Sequence, residues 1–253
     1  MFHREGIHRT NGENRLLAAY LSAIAGFVNS ASFVIVGAFT SHVTGNVGRL
    51  AHDTALGQPL SAVTAAVLIG AFFVGAFLAS MAIESQFFGT PSTTYGMLMM
   101  LEAAMLGAFI SLVREGAMVA RDLPALLLCA AMGLQNSLVT RLSGAVVRTT
   151  HLTGVVTDLG IEAARWFRFA RRGLSTRVHL PLSVGPSPSV RPSVPKLVLL
   201  LTIMSSFVFG SFIGALSTAR FGRFALLGPV AVLVAAGVYG MVTGRAITRR
   251  ERE

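Results

Sequence analysis

The sequence predicts an all-α, polytopic membrane helix bundle: about six transmembrane helices in two inverted three-helix repeats, each with a short polar half-helix. Three observations carry this expectation. Of the 253 residues, 53% are hydrophobic and 13% charged, and that charged share is about half of what a soluble domain carries. The apolar residues fall in blocks of roughly twenty, enough to cross a hydrocarbon core at about 1.5 Å per helical residue. Finally, two polar motifs in the first half return in the second. A bilayer requires every backbone group to be paired within its own segment. The Gly- and Ala-rich blocks lack the alternation of barrel strands, which leaves helices.

Six spans are expected, over residues 16–39, 60–83, 94–113, 118–139, 197–218 and 224–242. Two further stretches, 41–56 and 146–164, are partly apolar but carry His, Thr, Asn, Arg and Asp. They are too polar to face lipid and read as re-entrant or buried half-helices. The chain divides into an N-tail (1–15), a first repeat (16–113), a second repeat (114–172 and 196–244), a Pro/Ser-rich linker (173–195) and a basic C-tail (245–253). Arg4, Arg9 and Arg15 precede the first apolar run as they would in a signal peptide. That run is long and five more follow, so a retained first span is expected.

The net charge is +10. In a membrane chain, excess arginine marks cytoplasmic loops, and no nucleic-acid partner is expected. With both termini inside, sixteen of the 21 Lys and Arg residues fall in inside segments, nine of them in the stretch 141–196. Both termini are therefore placed on the cytoplasmic side of the plasma (inner) membrane. Proline density makes the linker a semi-extended spacer. The single cysteine, Cys129, allows no intrachain disulfide and reads as packing.

The repeat is visible in short motifs. Gly26-Phe27-Val28-Asn29-Ser30 resembles Gly133-Leu134-Gln135-Asn136-Ser137 at an offset of 107. Ser41-His42-Val43-Thr44-Gly45-Asn46-Val47 resembles Thr150-His151-Leu152-Thr153-Gly154-Val155-Val156 at 109, and Phe72 to Leu78 resembles Phe207 to Ile213 at 135. Each copy holds three spans. Three is odd, so the second copy enters the membrane from the opposite side, the plan common among secondary transporters.

The first span with its Gly-x-x-Asn element and the following Ser-His-x-Thr-Gly-Asn resemble the YoaK family, a domain of unknown function (number 1275). Gly-Leu-Gln-Asn-Ser-Leu and Arg-Thr-Thr-His-Leu-Thr-Gly-Val-Val-Thr-Asp-Leu-Gly resemble that family's second signature. The similarity covers nearly the whole chain apart from the N-tail and the linker. Asn29 departs from it where aspartate is the commoner residue. The resemblance implies a bacterial multi-pass membrane protein and brings no established activity.

Several residues stand out chemically. Ser22, Gly26, Asn29 and Phe33 share one helix face, as do Gly133, Asn136, Ser137 and Thr140. Buried amides need partners, so these faces point inward, either to a ligand or as glue between helices. His42 and His151 are placed to relay protons or meet a solute. Each is followed by a Thr-Gly pair (Thr44-Gly45, Thr153-Gly154) that opens the backbone. With Asn46, these residues form the candidate substrate-binding set. No matching carboxylate or cysteine cluster accompanies the histidines, so no metal and no cofactor are expected. Arg49 aligns with Asp158, which suggests a charge pair between the repeats. Glu102 sits mid-span in the third helix, where a carboxylate is costly and functional by default.

P-loop, Gly-x-Ser-x-Gly, His-Glu-x-x-His and Cys-x-x-Cys patterns are absent, which disfavours an ATP-driven pump or a familiar hydrolase. The expected function is a small secondary transporter or permease, and no enzymatic activity is assigned. The alternatives are an unfamiliar intramembrane enzyme and a structural or partner-binding membrane protein. The expected partners are the lipid bilayer and a small-molecule or ion substrate. The Gly70 to Gly75 face permits a homo-oligomer as readily as packing within the bundle.

Overall fold

The computed structural model describes residues 9–113, 122–175 and 192–250. The first eight residues, the 114–121 connection, most of the proline linker and the last three residues lie outside the described set. With them lie Arg4 and most of the stretch read as a semi-extended spacer.

The described chain is all-helical. Helix α1 (Asn11–Val36) starts from a reciprocal cap. The Thr10 hydroxyl accepts from the Glu13 N–H at 3.2 Å, and the Glu13 carboxylate accepts from the Thr10 N–H at 2.8 Å. The helix ends at Gly37, whose φ of 73° is left-handed and suits glycine. The amphipathic α2 (Val43–Ala55) follows, then α3 (Pro59–Glu84) and α4 (Pro91–Leu112), both with proline in the first turn, where a missing N–H costs nothing. The second half contains α5 (Asp122–Leu142), α6 (Leu152–Ser175), α7 (Val194–Phe221), a 3₁₀ turn (Gly222–Leu226) and α8 (Leu227–Arg250).

Among the described residues, five stretches are long and apolar enough to cross a bilayer, and the fifth, Val194–Gly244, contains α7, the 3₁₀ turn and most of α8. The short α2 and the polar α6 are not among them. The half-helix expected over 146–164 is displaced and longer. Gly144 (φ 61°) and Ala145 (φ 64°) turn the chain after α5. The helix that follows continues through an Arg- and Phe-rich segment to Ser175.

Packing joins the halves rather than filling each one. The spans pair as α1 with α7, α3 with α5 and α4 with α8, while α2 lies on α3 and α6 on α7. Glycines set the closeness of these pairs. A Cβ on Gly26 would fall on the carbonyl oxygen of Phe207, and one on Gly210 on that of Ala23. Between α3 and α5, Gly133 meets Phe72 and Gly75 meets Ala130 in the same way. A Cβ on Gly96 would lie 2.6 Å from the Gly237 carbonyl oxygen, and one on Gly237 2.9 Å from that of Gly96. Lipid supplies no hydrophobic drive between helices, so backbone approach of this kind carries the association. Two hydrogen bonds add to it: Ser211 Oγ donates to the Gly26 carbonyl at 3.2 Å, and Ser80 Oγ lies 2.8 Å from Ser137 Oγ.

Leu17, Leu21, Val28, Met99, Leu106, Phe109, Leu128, Met132 and Leu138 form one continuous apolar core. Cys129 is buried near Leu68 and Ala125. Phe73, Phe77, Phe209 and Phe212 point outward on α3 and α7. So much exposed aromatic surface suits acyl chains rather than water.

Candidate functional site

The polar residues of the two halves gather at the helix breaks. In the first half, Asn29 reaches from α1 to the start of α2: its Oδ1 accepts from Ser41 Oγ at 2.8 Å and from the Ser41 N–H at 3.4 Å. Ser32 Oγ donates to the Asn29 carbonyl at 2.8 Å and to the Ala38 carbonyl at 2.9 Å, satisfying backbone freed by the break. In the second half, Asn136 Oδ1 accepts from Thr150 Oγ1 at 2.7 Å, while its Nδ2 donates to the Met132 carbonyl at 2.9 Å. Thr150 stands at the same offset from Ser41 as His151 from His42. Both asparagines therefore hold a half-helix to the span before it.

His42 and His151 sit at the first turns of α2 and α6 and are exposed. The His42 ring stacks on Phe39 with centroids 5.1 Å apart. Thr44, Gly45, Thr153 and Gly154 are also exposed, whereas Asn46 is buried. Among the described residues no group of His, Cys, Asp and Glu could hold a metal ion.

Each half-helix is also tied to the span after it, by a buried carboxylate. Asp53 accepts from Ser61 Oγ of α3 and from Arg49 Nε at 3.3 Å, while Arg49 Nη2 donates to Ser61 Oγ at 3.0 Å. The Ser61 hydrogen bond holds the Asp53 carboxyl below its ordinary value, and Arg49 adds to this against the opposing effect of burial. Glu162, 0% exposed, pairs with Arg165 at 2.6 Å and with Lys196 of α7 at 3.7 Å, and accepts from the Ser193 N–H at 3.4 Å. Burial alone would raise its carboxyl. The Ser193 N–H, Arg165 and Lys196 outweigh that and hold it below the ordinary value.

These ties correct one expectation. Arg49 and Asp158 do not pair with each other. Arg49 is held by Asp53 and Ser61, and Asp158 lies 3.7 Å from Lys196. Partners four residues along the helix, or in the next span's first turn, are nearer than any in the other half.

The sequence model of one family, described as "Protein of unknown function (DUF1275)", matches residues 17–239. The chain is a DUF1275 protein. No curated protein and no solved structure matches it.

The match takes in every helix break and tie of this DUF1275 chain, and Glu102 besides. Glu102 lies on the buried face of α4 with Leu98, Met99 and Leu106. Its side chain is fully buried, and among the described residues neither carboxyl oxygen has a hydrogen-bond partner. Three other fully buried polar side chains lack hydrogen-bond partners among the described residues: Ser22 on α1, Gln135 on α5 and Thr149 in the break before α6. Three open cavities lie elsewhere. One of about 420 Å³ is lined by Asn136, Ser137, Thr140 and Arg141 with Phe73 and Ser80. One of about 330 Å³ contains Arg49, Gln58 and Ser61, and an apolar one of about 320 Å³ runs between Tyr20 and Pro229. Asn29, His42, His151 and Glu102 line none of these three.

Asp53, Ser61, Glu162 and Lys196 were not among the residues singled out from the sequence. The signal was available, since Asp53 and Glu162 share the offset of 109 that relates the histidines. Comparing identical residues hides it, because aspartate answers glutamate and serine answers lysine.

Proposed function

We propose that this DUF1275 protein is a secondary transporter for a small solute, with Glu102 as its proton- or ion-coupling residue. The observation that carries this reading is the fully buried carboxyl of Glu102, unpartnered within an apolar helix. A charge at such a place is costly, and intramembrane acids concentrate in ion and proton pathways. The neutral acid suits a dry site, so gain and loss of the proton is coupled to a rearrangement that admits water or an ion. In this reading His42, Thr44, Gly45 and Asn46, with His151, Thr153 and Gly154, meet the solute where the half-helices begin, and Asn29 and Asn136 hold those segments in place. Arg49 and Asp158 shape the ties.

The same reading makes the halves inverted repeats, with α7 and α8 each crossing the plasma membrane and both termini cytoplasmic. What supports it is the glycine pattern. The Gly26–Phe207 contact maps onto Gly133–Phe72 under the offsets of 107 and 135 found in the sequence, and Gly210–Ala23 maps onto Gly75–Ala130. The alternative, a membrane scaffold without transport, draws on the internal use of Asn29 and Asn136.

Flux into proteoliposomes under an imposed proton gradient tests the proposal. Glu102→Gln keeps the size and neutrality of the acid, so the variant folds normally. Gradient-driven uptake should fall at least about tenfold while gradient-independent exchange persists. Equal gradient-driven uptake by the two proteins removes Glu102 from coupling, and no flux by well-folded wild type across a solute panel favours the scaffold.

A further inference from the structure

We propose that the C-terminal half of α6 is a binding surface for anionic phospholipid headgroups. The inference starts from a length difference. Counted from its histidine, α2 ends soon after Asp53, whereas α6 runs on past Glu162 to Ser175. The added segment reads Arg165-Trp166-Phe167-Arg168-Phe169-Ala170-Arg171. At 100° per residue, Arg165, Arg168 and Arg171 fall on one side of the helix, and Trp166, Phe169 and Ala170 on the other, with Phe167 bordering the arginines. Phe167 and Phe169 are 64% and 55% exposed, too much aromatic surface to be left to water. Arg165 is used by Glu162. Arg168 and Arg171 have no ion-pair partner among the described residues, and the Arg171 guanidinium lies 5.9 Å from the Phe167 ring centre.

The depth of the segment is set by its neighbour. Glu162 is bonded to Ser193, the N-cap of α7, and pairs, as Asp158 does, with Lys196 in its first turn, where the stretch apolar enough to cross the bilayer begins. The residues that follow Glu162 therefore lie at the level where α7 enters the membrane. A helix at that level, with arginines on one face and aromatics on the other, lies in the interface. The rings reach into the acyl boundary and the guanidinium groups meet phosphates. The surface it faces is the bilayer itself, and its positive charge selects lipids of negative net charge over zwitterionic ones.

The chain has one tryptophan, so the fluorescence of Trp166 reports on this helix alone. The full-length protein is reconstituted in equimolar phosphatidylglycerol and phosphatidylcholine, with bromine on the acyl chains of one lipid or the other. Brominated phosphatidylglycerol should quench about twofold more than brominated phosphatidylcholine in near-physiological salt. The ratio should fall to one in R168Q/R171Q and persist in R168K/R171K. Equal quenching by the two lipids in wild type overturns the proposal without reference to any variant. So does a preference that survives in R168Q/R171Q, or the absence of quenching by either lipid, which would point the face to a soluble acidic partner.

Discussion

α2 and α6 occupy corresponding places in the two halves, and each holds a buried carboxylate against the third residue of the next span, yet a hydroxyl makes the first tie and an ammonium the second. The connections explain the difference. Three residues, 56–58, separate α2 from α3, so the chain itself keeps Asp53 and Ser61 close. Eighteen residues, 176–193, separate α6 from α7. By length alone the longer closure costs about 1.6 kcal/mol more. Where covalent proximity does less, charge does more. Arg165 and Lys196 surround Glu162, whereas Asp53 has one arginine from its own helix. The comparison shows how two halves can share a geometry while dividing its cost differently between chain and side chains.

The largest expected effect marks where the halves should not differ. Gly26→Val and Gly133→Val each drive a side chain into a carbonyl oxygen of the facing helix, and overpacking of this kind costs about 1–3 kcal/mol or more. Both variants should lose most folded protein, to the same extent, by fluorescence-detected size exclusion. A large loss in one and none in the other would break the equivalence of the halves.

Next come the ties. Glu162→Ala leaves Arg165 without its counter-ion and Lys196 with only the exposed Asp158, while Asp53→Ala leaves Arg49 still bonded to Ser61. Thermal unfolding in detergent should show a clearly larger drop for Glu162→Ala. An equal drop would mean that chain length does not set the demand on the tie.

The pH dependence is smaller. Both carboxyls lie below their ordinary values of 3.8 and 4.5 in the folded protein, so their stabilisation is present above those values and lost as pH falls through the lower folded ones. Melting temperature should decline on acidification below about pH 4 to 5. Asp53→Asn and Glu162→Gln should each flatten that decline. Profiles as steep as wild type in both would remove these acids from the acid response.

The smallest effect concerns Asp158. Its contact with Lys196 is exposed on both sides, and such pairs contribute about 0–1 kcal/mol. Asp158→Asn should shift the melting temperature by no more than a degree or two. A shift matching that of Glu162→Ala would make Asp158 the true anchor of α6.

Much of the fold was legible because bilayers constrain sequence strongly. Blocks of apolar residues placed the spans, and the polar insertions at 41–56 and 146–164 marked both breaks. The length of α6 was not legible from polarity. Arg165 to Arg171 is too charged for a span, yet its residues are good helix formers and keep the helix going. Asn29 and Asn136 were legible as amides in need of partners, and the partners of buried Asn29 and half-buried Asn136 proved to be local hydroxyls at the breaks. Arg49 and Asp158 misled because alignment shows which positions correspond, not which are near. The isolation of Glu102 needed the structure, since nothing in the span itself says whether another helix offers a partner.

The glycine contacts also bear on how the protein is made. Each of the three tight pairs joins a helix of the first half to one of the second. When α1, α3 and α4 have left the ribosome, none of them has met its principal partner. α1 ends at Val36 and its partner α7 begins at Val194. At about 5–20 residues per second, the wait is on the order of ten seconds or more. During that time Gly26 and Gly96 face lipid or one another, open to any helix with small residues, whereas Gly75 meets α5 sooner. Assembly is therefore a late event, completed only once α7 and α8 have been made. A truncated chain ending before Val194 holds α3 with its partner α5 and two helices, α1 and α4, still awaiting theirs.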